Sequence, residues 1–175
     1  MSVLRAQPRD DRELERRYGA QQLRVVFKHV PLQSHEGAVP AARVAQALLE
    51  MGGESLFFQY LERAYAHQDE VASGDALELA LPLGVDQQKL SARAGSAEIG
   101  QQVLTDARLA DRLDVRGLPH FRVNGRGFTG EYPLALLASA IDAEISESRR
   151  LRDSGVPAEQ IYSRRVSHNL NLPEQ

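Results

Sequence analysis

The sequence predicts an α/β fold in which helices occupy the middle of the chain and strands lie toward both ends. The segment Leu23–Val30 is rich in β-branched and apolar residues, is followed by Pro31, and has three consecutive apolar residues at 25–27. That pattern is typical of a strand covered on both faces. Near the other end, Phe121 and Val123 alternate with polar residues up to Asn124-Gly125, the dipeptide most typical of a two-residue hairpin turn. Helical periodicity dominates between these two regions.

The helical elements follow from apolar spacing and from residues that start or stop helices. Gly19 is suited to end a first, charged helix, and Gly52-Gly53 should interrupt the long helical stretch after residue 38. Pro133 suits the first turn of the helix that follows the hairpin. We therefore expect helices over residues 9–18, 38–51, 55–67, 75–81, 86–94 and 97–113, from about 133 onward, and over 157–168.

Composition restricts the class of protein more than its function. The chain of 175 residues is 42% hydrophobic and 26% charged, with a net charge of -3, so we expect a folded domain with no bulk attraction to nucleic acid or to an anionic membrane. No apolar segment resembles a secretory signal or a membrane span. We expect a soluble, cytoplasmic protein. The sequence has no cysteine, which excludes a thiol nucleophile, a disulfide or a cysteine zinc site carried by these residues.

The most informative motif is the stretch VRGLPHFRVNGRGFTG, residues 115–130, in which a Gly-x-Pro loop leads into the hairpin. Together with LADRLDVRGLPHFRVNGRGFTGEYPLALLASAIDAEI and with LERRYGAQQLRVVFKHVPLQSHEGAVPAARVAQAL, it resembles the DsbA-like thiol-disulfide oxidoreductases. The resemblance covers about residues 5–147. It implies a thioredoxin-like α/β fold over residues 1–150 with a helical insertion over about 38–113. Residues 151–175 would form an accessory helix and tail.

The resemblance also implies what the loop does. Pro119 would be a cis-proline, and Gly117, Leu118, Pro119 and His120 would form a binding site for a peptide or protein partner through β-addition. The residue before the proline is Leu118, where the family usually has Thr or Val. The simpler alternative is that Gly117-Leu118-Pro119 only separates a helix from a strand.

The family's Cys-x-x-Cys has no counterpart here, because its second cysteine would align at about Val3 and its first before Met1. The family's first, central strand would lie further upstream. We therefore expect a redox-inactive chain whose central strand is missing. Either Leu23–Val30 pairs with the hairpin, or another chain supplies a strand, or the natural product is longer.

Three functions remain open at this point. The first is a cysteine-free DsbA-like protein that binds a partner at the Leu118-Pro119 loop. The second is a structural or interaction subunit that completes its sheet in a homo-oligomer or by accepting a foreign strand. The third is a glutathione-linked isomerase or transferase, for which Ser2 is the candidate serine.

Other candidate chemistry is weak. His29 and His35 lack an evident third ligand for a metal, so we expect neither a metal site nor a cofactor. His120 has the pKa range of a proton shuttle but no identified partner. Ser34, His35 and Asp69 lack the motif of a nucleophile elbow.

Overall fold

A computed structural model describes residues 8–172 of the chain, with side chains from residue 13 onward. These residues form two compact units. The first contains the described residues up to Val25 together with those from Val115 onward, and the second spans Val26–Asp114. The predicted helical insertion, residues 38–113, falls within the second unit.

The first unit is built on a β-hairpin and three helices. Strands β1 (His120–Val123) and β2 (Arg126–Thr129) pair antiparallel, with Phe121 opposite Phe128 and Val123 opposite Arg126. Asn124 and Gly125 form the turn with φ of 45° and 93°, as the sequence predicts for a hairpin turn whose two central residues both have positive φ. The elements are α1 (Pro8–Tyr18), β1 (His120–Val123), β2 (Arg126–Thr129), α6 (Leu134–Asp153) and α7 (Ala158–Asn169).

One face of α6 forms the core of this unit. Leu137, Ala138 and Ile141 are buried there together with Leu14 of α1. Partly buried residues of the hairpin, including Phe121 and Phe128, pack against the same cluster. The Tyr18 hydroxyl, at the end of α1, donates a hydrogen bond of 2.9 Å to the carbonyl of Ala138. Burial of these side chains contributes about 1.5–3 kcal/mol for each large one, so the hairpin is held mainly by α6.

The second unit is helical. As predicted, the long stretch after residue 38 is interrupted at the glycine pair, because Gly53 has the non-helical angles φ 73° and ψ -171°. Tyr60 is fully buried, and its hydroxyl donates a hydrogen bond to the carbonyl of Ala76. Asp86 and Ser96 cap the two helices that they precede. The elements are α2 (Ala38–Ala66), α3 (Gln68–Ala72), a 3-10 helix (Glu78–Leu83), α4 (Gln87–Gly95) and α5 (Ala97–Arg112).

The predicted strand Leu23–Val30 is not a strand in the structure, and this prediction was wrong. The described residues contain one sheet, made of β1 and β2 alone, so this segment does not close a sheet with the hairpin. The segment instead alternates between inward and exposed residues, and Val26 is 57% exposed, so it is covered on one face only. Apolar residues predict an extended backbone, but a strand also needs a neighbouring strand to bond with.

The C-terminal helix α7 is held by a polar network rather than by a buried apolar face. The Arg165 guanidinium donates two hydrogen bonds, of 2.9 and 2.8 Å, to the buried Glu144 carboxylate of α6. Asn169 donates from one amide nitrogen to Glu144 and to the carbonyl of Asn124 in the hairpin turn, each at 2.9 Å. Burial alone would raise the pKa of Glu144, but these bonds outweigh it and hold the pKa below its usual value.

Removing one partner of this ion pair should destabilise the chain markedly. The Arg165 and Glu144 side chains are 12% and 9% exposed, so Arg165→Met would leave a carboxylate buried without its cation. We expect a loss of about 3 kcal/mol in the free energy of unfolding, measured by urea denaturation. The neighbouring Arg164 is exposed, and Arg164→Met should change that free energy by less than about 0.5 kcal/mol. Equal stabilities for the two variants would contradict this account.

Candidate functional site

The Gly117–His120 loop connects the end of the second unit to β1, and its four residues are partly buried. The peptide bond between Leu118 and Pro119 is cis. The carbonyl of Pro119 accepts a hydrogen bond of 2.8 Å from the amide of Gly130, which continues the hairpin pairing by one step beyond β1. The loop is therefore a direct extension of the sheet edge.

The pairing register decides which way the loop's peptide groups face. In an antiparallel pair, successive residues direct their N–H and C=O groups to opposite edges of the strand. Val123, Phe121 and Pro119 direct theirs toward β2, as their pairing shows. The N–H and C=O groups of His120 consequently face the other edge. Within residues 8–172 no strand pairs along that edge, so an extended chain could add there.

His120 is held against β2. Its Nδ1 lies 2.8 Å from the Thr129 hydroxyl oxygen, and which of the two donates depends on the imidazole tautomer. A Cβ at Gly127 would lie 3.3 Å from the imidazole ring, so the absence of a side chain at this position leaves room for the ring. Burial, and secondarily the charge of Arg122, lowers the pKa of His120. The imidazole is therefore neutral at pH 7.

Proton transfer by His120 gains no support from its contacts. Its Nε2 is buried and has no hydrogen-bond partner in the part of the chain that the structure describes. Its Nδ1 contacts a hydroxyl rather than a carboxylate. A shuttle needs a second acid or base within reach, and the contacts described supply only Thr129. The Thr129 contact fixes the position of the ring next to β2.

The other sequence candidates are not brought together. His29 is buried in the second unit, where its Nε2 lies 3.3 Å from the Gln46 amide oxygen, whereas His35 lies in an exposed turn. Among the described residues no group of three His, Cys, Asp or Glu side chains could hold a metal ion. Ser2, proposed for a glutathione-linked activity, lies outside the described residues. In that same part of the chain, none of the helices has the length and apolar character that crossing a bilayer requires.

Sequence reasoning missed a buried polar cluster in the second unit. The Asp106 carboxylate on α5 accepts a hydrogen bond of 3.1 Å from the His29 backbone amide and one of 2.9 Å from the Lys28 ammonium. Asp106 is 6% exposed. The signal was present, because Asp106 falls three residues after Val103 and four before Ala110, on the apolar stripe of α5, and a charge on such a stripe needs a partner.

The comparisons with known proteins match most of the chain to one family. The family model described as DSBA-like thioredoxin domain matches residues 10–142. A protein of Salinispora tropica named Na(+)/H(+) antiporter NhaA 3 is 37% identical over 138 residues, which are 76% of this chain and 20% of that protein. Na(+)/H(+) antiporter NhaA 1 of Salinispora arenicola is 33% identical over 141 residues, 77% of this chain and 21% of its own length.

A more distant relative has the same coverage pattern. Na(+)/H(+) antiporter NhaA 1 of Mycobacterium sp. (strain KMS) is 29% identical over 121 residues, 67% of this chain and 19% of the relative. The chain thus spans about a fifth of the length of the curated relatives it matches. No solved structure matches the chain.

The buried imidazole of His29 should make stability depend on pH. Burial lowers the pKa of His29 below its ordinary value of 6.5, although Asp106 and Gln46 act in the opposite direction. Below about pH 6.5 the unfolded chain therefore binds more protons than the folded chain, and the free energy of unfolding falls until the pH passes the folded pKa. The expected loss is about 1.4 kcal/mol for each unit by which the pKa is lowered.

Urea denaturation between pH 7.5 and 4.5 measures this dependence. His29→Gln should remove the His29 part of the slope and leave the part that comes from His120. His35→Gln is the matched control, because it makes the same substitution in an exposed turn rather than at a buried site. An unchanged slope in His29→Gln would contradict the assignment.

Proposed function

Because this chain belongs to the DSBA-like thioredoxin domain family, we propose that it is a member that binds an extended polypeptide at the Leu118-Pro119 loop and performs no thiol-disulfide exchange. The observation that carries the proposal is a loop that keeps its sheet-edge geometry in a sequence without cysteine. Membership gives the chain the thioredoxin-type fold of the thiol-disulfide oxidoreductases. The activity is a separate matter, because function depends on the site rather than the fold.

The chemistry of the family requires a thiol. Disulfides form, break and rearrange when a thiolate attacks a disulfide sulfur through a mixed disulfide. No residue in the printed sequence can supply that thiolate, and no other side chain replaces it as a two-electron donor. Binding remains as the function that these residues can perform alone.

The loop has the features that peptide binding by β-addition uses. The N–H and C=O groups of His120, directly after the Leu118-Pro119 bond, face away from β2, and main-chain hydrogen bonds to an added strand supply affinity without regard to sequence. The Leu118 side chain and the His120 ring are partly buried and flank that edge. The net charge of -3 favours a polypeptide partner over nucleic acid or an anionic membrane. A strand from a second copy of this chain would use the same edge and give a homo-oligomer.

Nuclear magnetic resonance can test the loop directly. The probe is an unfolded polypeptide whose cysteines have been alkylated, titrated into the labelled 175-residue chain. We expect the amide signals of Leu118 and His120 to shift on binding, and Leu118→Glu to weaken binding at least about tenfold because it places a charge at the edge that the peptide covers.

Leu136 on α6 is 53% exposed, so Leu136→Glu is the matched control and should bind as the wild type does. The same preparation should neither reduce nor oxidise a disulfide substrate above the uncatalysed rate. Exchange activity in the purified chain, or shifts confined to other regions, would overturn the proposal.

A second candidate is that this domain serves a Na(+)/H(+) antiporter. The 37% identity over 76% of the chain favours it, because a segment resembling this domain makes up 20% of the Salinispora tropica protein with that name. In that case the partner polypeptide at the loop is part of an ion transporter.

A chimera tests the second candidate. The segment of the Salinispora tropica protein that matches this chain is deleted, or replaced by this chain, and sodium–proton exchange is measured in reconstituted vesicles. We expect the deletion to lower exchange and the replacement to restore it, whereas Leu118→Glu in the replacement should restore less. Exchange that is unaffected by the deletion would contradict this candidate.

A further inference from the structure

The C-terminal helix α7 lies on the first unit although none of its 12 residues is buried. Tyr162 on its outer face is 68% exposed, whereas Arg165 and Asn169 on its inner face are partly buried. A helix of this length is marginal in water without tertiary packing, so α7 depends on the contacts of that inner face. Its hydrogen bonds to the rest of the unit run to the Glu144 carboxylate and to the Asn124 carbonyl.

The Glu144 carboxylate is the point at which α6, α7 and the hairpin turn meet. Besides its bonds from α7, it accepts one of 3.2 Å from the Asn124 side-chain amide. Asn169 joins α7 to both other elements, because its amide nitrogen donates to Glu144 and to the Asn124 carbonyl. The backbone of α7 also lies against the turn, since a Cβ at Gly125 would be 3.1 Å from the Val166 carbonyl oxygen. The helix therefore covers the turn end of the hairpin.

A polar contact of this kind can open at modest cost when all its partners return to water together. In a buried ion pair the attraction is largely offset by the desolvation of the two charges. Release of α7 as a whole would restore the hydration of both Glu144 and Arg165, whereas removal of Arg165 alone leaves a bare carboxylate under a docked helix. Release of the whole helix is therefore the cheaper way to break the contact.

The connection between α6 and α7 allows one helix to move without the other. The amides of Ser154, Gly155 and Val156 donate hydrogen bonds of 3.0 Å to carbonyls in the last turn of α6. These bonds complete the C-terminus of α6 without any group from α7. Helix α7 begins directly after Pro157, so its release leaves α6 intact.

The hairpin depends on what holds its two ends. Its strands have four residues each, and an isolated hairpin of that size is at best marginally stable. The middle packs on α6, the turn is held by α7, and at the far end the Gly130 amide donates to the Pro119 carbonyl. Loss of the bonds at the turn should therefore fray the hairpin from the turn toward the Leu118-Pro119 loop.

We propose that α7 is a strap that docks and undocks as a unit, and that its docking on Glu144 sets the order of the hairpin and thereby the affinity of the Leu118-Pro119 loop. The part that concerns affinity rests on the proposed function, because it requires a peptide at the loop. The part that concerns the strap and the hairpin does not. Apparent affinity falls in proportion to the fraction of molecules whose hairpin is ordered.

Amide hydrogen exchange of the full chain without ligand tests the strap. In the wild type we expect the amides of α7 to exchange at least about tenfold faster than those in the middle of α6, because an undocked helix of this length unfolds while α6 stays packed. Equal exchange rates in α7 and α6 would mean that α7 opens only when the whole unit unfolds, and would overturn the strap.

Asn169→Asp tests the coupling to the hairpin. The change is isosteric, but it replaces a donor with a negative charge that faces Glu144. Exchange in α7 and at the Arg126 and Gly130 amides should rise at least about tenfold, with α6 unchanged. Ser163→Asp adds the same charge at an exposed position of α7 and is the matched control, with an expected change below about threefold. Unchanged hairpin exchange in Asn169→Asp would overturn the coupling.

A second substitution can restore the network. Glu144→Gln combined with Asn169→Asp moves the carboxylate from α6 to α7 and places an amide donor opposite it. Exchange in the hairpin of this double variant should be at least about threefold slower than in Asn169→Asp alone. No recovery would contradict the role of this contact. Circular dichroism establishes that each variant is folded, and if Asn169→Asp does not fold, the wild-type comparison of α7 with α6 still decides the strap.

Peptide affinity is measured on the same variants with the alkylated unfolded polypeptide. We expect Asn169→Asp to bind at least about threefold more weakly than the wild type, and the double variant to recover. Unchanged affinity in a variant whose hairpin exchanges faster would overturn control of the loop by the strap. If the wild type binds no peptide, the proposed function fails, whereas the exchange rates still decide the strap.

Discussion

The extended segment at the start of the second unit depends on the hydrogen bonds that the Asp106 carboxylate accepts from it. The carboxylate accepts hydrogen bonds from the His29 amide and the Lys28 ammonium. For His29 it therefore supplies the acceptor that a neighbouring strand would otherwise supply. A carboxylate that is 6% exposed requires such partners, because burying a charge without them costs several kcal/mol. The contact is mutual, since the backbone gains an acceptor and the charge gains two donors. These two bonds hold Lys28 and His29 against α5.

The hairpin of the first unit is likewise bonded along one side. One side of the hairpin is satisfied by its own pairing and by the apolar face of α6, and its turn is held by the Glu144 network. The N–H and C=O groups of His120 face away from β2. In the function that we propose, this edge of the hairpin is where an extended polypeptide adds.

In the relatives, the segments that match this chain occupy about a fifth of proteins named Na(+)/H(+) antiporters. In the function that we propose, the specificity of binding would come from the few side chains that flank the loop, Leu118 and His120.

The sequence by itself determined the longer helices, the glycine break near residue 53, the hairpin with its Asn124-Gly125 turn, and the family, because periodicity, turn residues and local motifs are encoded over short distances. It did not predict the short helix α3, and the helix predicted over residues 75–81 is instead a 3-10 helix over Glu78–Leu83. It also determined that no thiol is present. Only the tertiary structure decided the state of Leu23–Val30, because a strand exists only when a second segment pairs with it. Tertiary structure likewise decided the partners of Asp106 and Glu144, since a buried carboxylate is satisfied by residues distant in sequence that no local pattern specifies.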